Sequence, residues 1–486
     1  LEYIIAHDFG TSSAKAAIYS RDGRLVKSHS VDYPSYRPQP GWVEQNPKDW
    51  WRAFCENNRA LTADLNARDV AAVVCDGTTS NCVLLDRSGE PLCNAMIWQD
   101  NRALAEAEEI NAMLTPELRE GRGGIAPGRC GVMLYYIKKH RPELYAQMAT
   151  WVTSNSLYIL YRLTGKSVVD DNLGWSTMLM DPDRQHWTYP LVEMLGFDRS
   201  ILPEYHKLTD IIGEVPASLS GECGLAAGTK IVVGTADGDT SPYGTGVGEY
   251  NMASIMCGTS GSANVTGSPV KGIRGTSGTG ASLEWLRRTI CQEEERKAKE
   301  TGRSVFDLMV EEALQAPIGS QGVLFIPYLA GERGSRNNAK AKGSFTGLSL
   351  STTRNDLIRS VIEGIGYNLN EILQRHRDGG MNPTQAIAVG GMVKNPGVRK
   401  IFADIMNVEL ITLKNSQFVV NTGSAVIASL ALGWFPSAQE ASRLFTHRDT
   451  FTPPDPKAHQ EYQKYIPIFD DIYRSQLPIY EELWNL

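Results

Sequence analysis

The sequence predicts an α/β protein built from two domains, and three observations predict it. Short β-rich runs alternate with helix-patterned segments along most of the 486 residues, which is the pattern of layered α/β architecture. A chain of that length, 42% hydrophobic, exceeds what one hydrophobic core organises, so at least two domains are expected. The triplet Gly-Thr-Ser occurs at residues 10–12 and again at 258–260, about half the chain apart and each time between short β-rich runs. A duplicated domain would place it so, with the two turns facing each other across a cleft.

Composition narrows the partners. A formal net charge of −7 and a pI near 5.7 argue against a broad nucleic-acid or anionic-membrane surface, which needs clustered Lys and Arg. A small anion in one pocket stays compatible. The eight cysteines (55, 75, 82, 93, 130, 223, 257, 291) form no C-x-x-C pair and sit among apolar runs, so buried thiols in a reducing compartment, the cytoplasm, are expected. The eight histidines show no metal-ligand spacing. No apolar run reaches the ~18 residues of a membrane span, and residues 425–435 read as a buried helix. No signal peptide is recognisable, and the chain opens at Leu1 without a methionine, so its natural start is expected to be trimmed or altered.

Taken in order, residues 3–7 form a β-rich run ending in Asp8-Phe9-Gly10-Thr11-Ser12-Ser13. Residues 15–19 and 24–29 follow across tight turns, predicting a three-stranded antiparallel meander. Residues 49–65 have helical apolar spacing, residues 70–74 read as a buried strand entering Asp76-Gly77-Thr78-Thr79-Ser80, and residues 82–86 as a further strand. Residues 103–113 predict an amphipathic helix with exposed Glu, residues 153–163 an apolar segment packed on the sheet, and residues 193–216 are mixed.

The stretch from 231 to 264 carries the densest signal. It reads as a buried strand (231–233), a turn with Asp237 and Asp239, a Gly-spaced segment (Gly244, Gly246, Gly248), and an apolar strand entering Gly258-Thr259-Ser260-Gly261. A carboxylate at a strand end can accept a proton, and a Gly-Thr-Ser turn leaves N–H groups and hydroxyls free to hold phosphate oxygens. Beyond it, residues 304–314 and 354–373 predict helices. The second has Leu357, Val361, Ile365 and Leu369 on one stripe, Thr353 as N-cap and Asp356 three residues on. Residues 386–389 predict a strand ending at Gly390-Gly391, after which Asn395 caps and Pro396 opens a helix. Such a glycine turn and helix start can host a nucleotide, because glycine admits close backbone approach and a helix N-terminus favours anions.

Several pieces in order then carry a family resemblance: D-F-G-T-S-S-A-K from Asp8, G-W-V-E-Q-N-P from Gly41, W-Q-D-N-R from Trp98, the Asp237 and Gly258 segments, P-Y-L-A-G-E-R from Pro327, G-x-x-x-G-L from Gly343, E-G at Glu363, and A-V-G-G-M-V-K-N-P from Ala388. Over residues 3–451 the chain resembles an FGGY-type carbohydrate kinase of the actin-like, ribonuclease-H-like ATPase superfamily. The resemblance implies two ribonuclease-H-like domains, 1–245 for sugar and phosphate and 246–486 for nucleotide. It also implies transfer of a phosphoryl group from ATP to a sugar hydroxyl, with Mg²⁺ as cofactor.

By resemblance Asp237, followed at Gly244 by the D-x6-G and G-x-G spacing, is the general base, and Asp239 breaks the register. Asp8 would be costly to bury unless paired or facing a cation; the resemblance has it position Mg²⁺ through water. Thr11, Ser12 and Ser13 would hold the γ-phosphate, with Lys15 as a nearby point charge. Gly258, Thr259 and Ser260 would face the nucleotide phosphates, while Gly390, Gly391 and Asn395 would border the adenosine. The sugar site is drawn from Thr79, Ser80, Asn81, Trp98, Asp100 and Asp237; Trp98 offers a flat apolar face or is a core tryptophan. Arg333 either braces the cleft or is a solvated surface residue. The expected partners are a small sugar, ATP and a second copy of the chain in a homodimer, with no nucleic acid and no membrane.

Departures from the family bear on the acceptor. Glycerol kinases carry Gln-Arg-Glu and xylulose kinases Met-His where this chain has Thr79-Ser80-Asn81. The family's Lys-x-x-Trp becomes Met133-Leu-Tyr-Tyr136, its Gly-Glu-Arg-Ser-Pro continues here as Arg333-Gly-Ser-Arg336 without the proline, and residues 266–278 are shorter than their counterpart. A pentulose such as xylulose or ribulose is the first expectation, with gluconate or another polyol as alternatives. A non-catalytic sensor on the same fold stays open. An actin-like or chaperone-like ATPase is disfavoured by the 98–102 element.

Overall fold

In the computed structural model, which describes residues 2–122, 124–246, 250–270, 275–332, 334 and 336–485, the amino-terminal runs become β1 (Tyr3–Phe9), β2 (Ser13–Ser20) and β3 (Leu25–Asp32). They form the antiparallel meander that their short turns require. β1 is buried on both faces and therefore central. β4 (Val70–Gly77), β5 (Ile211–Glu214) and β6 (Lys230–Val232) extend the sheet in the order β3-β2-β1-β4-β6-β5, with β1, β4 and β6 parallel and both edges antiparallel.

Side chains alternate between the two faces of this sheet. Ile5 and Val73 pack with Trp50, Phe54 and Tyr158 of the Pro47–Thr62 and Asn155–Thr164 helices. Ile4, Ala6 and Val74 pack with Ala425, Val426 and Ile427 of the Val419–Ala431 helix. That helix is the apolar stretch near residue 425, and it closes the second face of a sheet that begins at the other end of the chain. The compact units are Leu1–Gly244 with Phe418–Thr446, and Thr245–Gln417 with His447–Leu486.

The second unit repeats the plan. β7 (Ala253–Cys257), β8 (Gly261–Val265), β9 (Gly275–Thr276), β10 (Gln385–Val389), β11 (Glu409–Leu413) and β12 (Arg448–Thr452) are ordered β9-β8-β7-β10-β11-β12. β7, β10 and β11 are parallel, and the rest antiparallel, as in the first sheet. In both units the Gly-Thr-Ser triplet is the first hairpin turn.

Three expectations need correction. Asp237 and Asp239 do not lie in a turn: they open a helix, Asp237–Gly244, despite its glycines and Pro242. Packing against the Val419–Ala431 helix overrides the poor local propensity, and acidic residues suit a first helical turn. In the Leu104–Met113 helix Glu106 is buried, 2.8 Å from His140 Nε2, while Glu108 is exposed. The Arg354–Asp378 helix has the expected reciprocal cap between Thr353 and Asp356, but residues 358–370 are buried all round instead of along one stripe. It is enclosed by strands on one side and by helices Val305–Ala313 and Pro396–Met406 on others. Residues 271–274 of the shortened segment, with Gly248, Arg333 and Ser335, lie outside the described residues.

Candidate active site

Three carboxylates meet at the strand ends of the first unit. Asp8 on β1 pairs in register with Asp76 on the parallel β4, and Asp237 opens the helix after β6. Burial, then the nearby Asp237 charge, push the Asp8 carboxyl up to about 7, against the pull of Lys15. Lys15 is its cross-strand neighbour. Asp76 is fully buried and driven well above the ordinary carboxylate range by burial, then by Asp8. The Ser424 hydroxyl donates to its Oδ2, and its Oδ1 has no partner among the described residues. Asp237 is half-buried and also raised, chiefly by burial, while the Gly238 N–H at 2.6 Å opposes the shift.

The position of Asp237 follows from glycine packing seven residues on. A Cβ at Gly244 would lie 1.8 Å from the Val419 carbonyl oxygen, and one at Gly423 would lie 2.1 Å from that of Thr240. The two helices cross so closely that neither position admits a side chain. Gly244 therefore sets the crossing, and Asp237 sits about two helical turns before it, at the helix start.

Beside the carboxylates lies the β1–β2 turn, closed by Gly10 N–H to Ser13 O at 3.0 Å. Its carbonyls are already engaged: Tyr33 donates to Gly10 O, and Gln45 Nε2 to Thr11 O at 2.6 Å. The Ser12 and Ser13 hydroxyls have no partner among the described residues, which leaves this turn with donors to offer.

The expected sugar residues separate into two groups. Trp98 is 45% exposed, with Nε1 donating to Thr11 Oγ1 at 3.3 Å, so its ring is an accessible face and not core. Thr79 is partly accessible. Ser80 and Asn81 are buried and hold the loop itself: Ser80, at φ 59°, donates to Ser176 O, and Asn81 donates to Thr78. The Asp100 carboxylate is 1% exposed and fully engaged by Arg102 (2.7 Å) and the Val43 N–H (2.6 Å). Arg102 stacks over Trp42 and bonds Glu44, so Asp100 braces the segment that carries Gln45 to the β1–β2 turn.

In the second unit a pocket of about 630 Å³ gathers Gly258, Thr259 and Gly391 with Gly280, Phe306 and Met392. The β7–β8 turn is held from below by Gly280 N–H to Gly258 O at 2.9 Å, and a Cβ at Gly280 would strike that oxygen. Ser260 is exposed beside Thr259. Gly390, at φ 112°, touches Cys257 O through the place a Cβ would take, so the turn requires it. Gly391 faces open space, where a ligand can approach the backbone. Asn395 is not among the pocket residues. It caps the next helix through Gly397 N at 2.9 Å and donates to Asp307 at 2.6 Å.

Sequence reading did not select Asp76 or Ser424, nor Phe306 and Met392. A carboxylate closing the apolar run 70–75 was the available signal for Asp76. Nothing near Ser424 in sequence announced a partner 348 residues away. Among the described residues no cluster of three or more His, Cys, Asp or Glu forms a direct metal cage. Burial and mutual repulsion, which raise Asp8 and Asp76, would both be offset by a hydrated divalent cation held through water. All eight cysteines are free thiols, buried except Cys93. No helix among the described residues is long and apolar enough to cross a membrane.

Comparison with known proteins adds independent findings. The model of the FGGY family of carbohydrate kinases, N-terminal domain, matches residues 3–244, and that of its C-terminal domain matches residues 253–432. A xylulose kinase of Staphylococcus xylosus is 28% identical over 97% of this chain and 100% of its own. A ligand-bound xylulose kinase from Lactobacillus acidophilus has a TM-score of 0.87 at 27% identity, covering 99% of this chain and 100% of that one. A gluconate kinase from the same organism has a TM-score of 0.85 at 26% identity, with the same coverage.

Proposed function

The chain belongs to the FGGY family of carbohydrate kinases, ATP-dependent enzymes that phosphorylate sugars, and from that premise we propose that its acceptor is a pentulose such as D-xylulose and its general base Asp237. The observation that carries the base assignment is the raised, half-buried Asp237 carboxyl beside Asp8, at a helix start whose position two glycines dictate. A carboxylate with a raised pKa takes a hydroxyl proton more readily than an ordinary one. Trp98 supplies an apolar face for sugar C–H groups, and Thr79 a hydroxyl at the loop rim.

Thr11, Ser12 and Ser13 offer N–H groups and hydroxyls to the transferred phosphoryl oxygens, with Lys15 adding charge. Gly258 and Thr259, with the exposed Ser260 beside them, take the remaining phosphates, and Gly391 and Met392 border the nucleoside, with Gly390 shaping the turn. Asp8, supported by Asp76, would hold Mg²⁺ through water; when bound, that ion neutralises phosphate charge during transfer. The likeness to a gluconate kinase makes an aldonate the second acceptor to test. Free thiols support a cytoplasmic location, and the exposed Leu477, Ile479, Leu483 and Trp484 of the last helix support a homodimer.

ADP release measured with ketopentoses, alditols and aldonates in the presence of Mg²⁺ identifies the acceptor. Asp237→Asn is expected to lower sugar-dependent turnover by about 10²–10⁴-fold while ADP still binds. Near-normal turnover would refute the base assignment.

A further inference from the structure

Asp170 is a fully buried carboxylate of the first unit with no cationic partner among the described residues. It caps the short Asp171–Trp175 helix, accepting from Leu173 N at 3.0 Å and Asn172 N at 3.3 Å. An asparagine caps a helix as well as an aspartate does, without the cost of a buried charge. Capping therefore does not account for the carboxylate.

Its third contact does. The Thr235 hydroxyl, equally buried, donates to Asp170 Oδ2 at 2.5 Å and accepts from Asn172 Nδ2 at 3.1 Å. Burial raises the Asp170 carboxyl to about 6 against the pull of its three donors, Asp239 adding to the rise, so it is charged at neutral pH. An ionised carboxylate only accepts: it draws the Thr235 proton to itself and leaves the lone pairs of that oxygen to Asn172. The Thr235 side chain is thereby held from both sides.

Thr235 lies two residues before Asp237, where the end of β6 leads into the helix. Gly234 turns the chain at φ 72°, Ala236 bridges Gly77 beside Asp76, and the Ala236 carbonyl accepts from Asp239 N and Thr240 N, both at 3.0 Å. The helix start is fixed by backbone at Ala236 and by one side chain, Thr235. The capped helix also reaches the acceptor side, because the carbonyl of Ser176, the residue after it, takes the Ser80 hydroxyl at 3.2 Å.

We propose that Asp170, acting through Thr235, is a positioning residue for phosphoryl transfer: it holds the start of the Asp237–Gly244 helix so that Asp237 meets the acceptor hydroxyl. The inference rests on Asp237 as the base. A base must lie within hydrogen-bond reach of the proton it takes, and a misplacement of about 1 Å can cost about 10²-fold in rate.

Steady-state kinetics of the full chain test it, with ATP, Mg²⁺ and whichever of D-xylulose, D-ribulose and D-gluconate turns over best. Thr235→Val removes the hydroxyl at nearly constant shape, and Asp170→Asn keeps the cap without the charge. Each is expected to lower kcat and kcat/KM together by about tenfold, with the acceptor KM held within about twofold, per mole of protein shown folded by circular dichroism. Thr235→Ser, which keeps the donor, should restore most of kcat. The double variant should be no slower than the slower single one, since both break the same contact. If Asp170→Asn does not fold, the Val and Ser variants of Thr235 decide the matter. Unchanged kcat in folded Thr235→Val, a Ser variant as slow as the Val variant, or losses that multiply in the double variant would each overturn the proposal. Asp237→Asn assayed alongside separates the two readings: near-normal turnover there removes the base and the positioning role together, whereas an inactive Asp237→Asn beside a fully active Thr235→Val removes the positioning role alone.

Discussion

Gly390 and Gly391 stand side by side and do different work. A side chain at Gly390 meets backbone at 2.2 Å from a left-handed φ, whereas one at Gly391 meets nothing. Gly390→Ala is therefore expected to lower stability by about 2–4 kcal/mol, read by thermal unfolding. Gly391→Ala should leave the unfolding midpoint alone and raise the KM for ATP. His7 provides a pH test. Its Nε2–H donates to Asn58 Oδ1, and burial lowers its pKa from 6.5 to about 4. The unfolded chain takes the proton first, so this contribution is present above pH 6.5 and is lost as pH falls toward 4, worth about 3 kcal/mol. His7→Gln, which keeps the donor without titrating, should flatten that part of the stability profile in denaturant unfolding.

Among the elements, the Asp237–Gly244 helix shows what a sequence motif encodes. The D-x6-G spacing was legible, yet the segment read as a turn. Its glycines and proline disfavour a helix locally, and only the crossing with Val419–Ala431 makes helix the better state. Gly244→Ala should push that crossing apart, lowering the unfolding midpoint and kcat together, because Asp237 rides on the same helix. A loss of stability with kcat unchanged would show that the base position does not depend on the crossing. By contrast, strand and cap signals such as Thr353–Asp356 were legible directly, since a cap depends on residues three apart.

At the level of the molecule, the first unit is completed by a segment from the far end of the chain. A fragment of residues 1–244 would leave Ile4, Ala6, Val74 and Val232 uncovered, and it is expected to aggregate. The same fragment joined to residues 418–446 should be soluble, with a cooperative unfolding transition by circular dichroism. If 1–244 alone unfolds cooperatively at the same temperature, the Val419–Ala431 helix is dispensable. The sheet order is duplicated, and residues 10–12 and 258–260 turn the same opening hairpin in each unit, whereas a third Gly-Thr-Ser, at residues 275–277, begins in β9 and lies at no such hairpin.

The sequence by itself determined the opening strands, the caps and the two Gly-Thr-Ser hairpin turns, and it placed Asp8 and Asp237 at strand ends, because periodicity and turn chemistry act between residues a few positions apart. The tertiary structure alone decided that Ser424 braces Asp76, that Asp100 and Asn395 are engaged in scaffolding, and which helix covers the second face of the first sheet. Those outcomes depend on which surfaces fit across hundreds of residues, and complementarity of that kind leaves no local pattern to read.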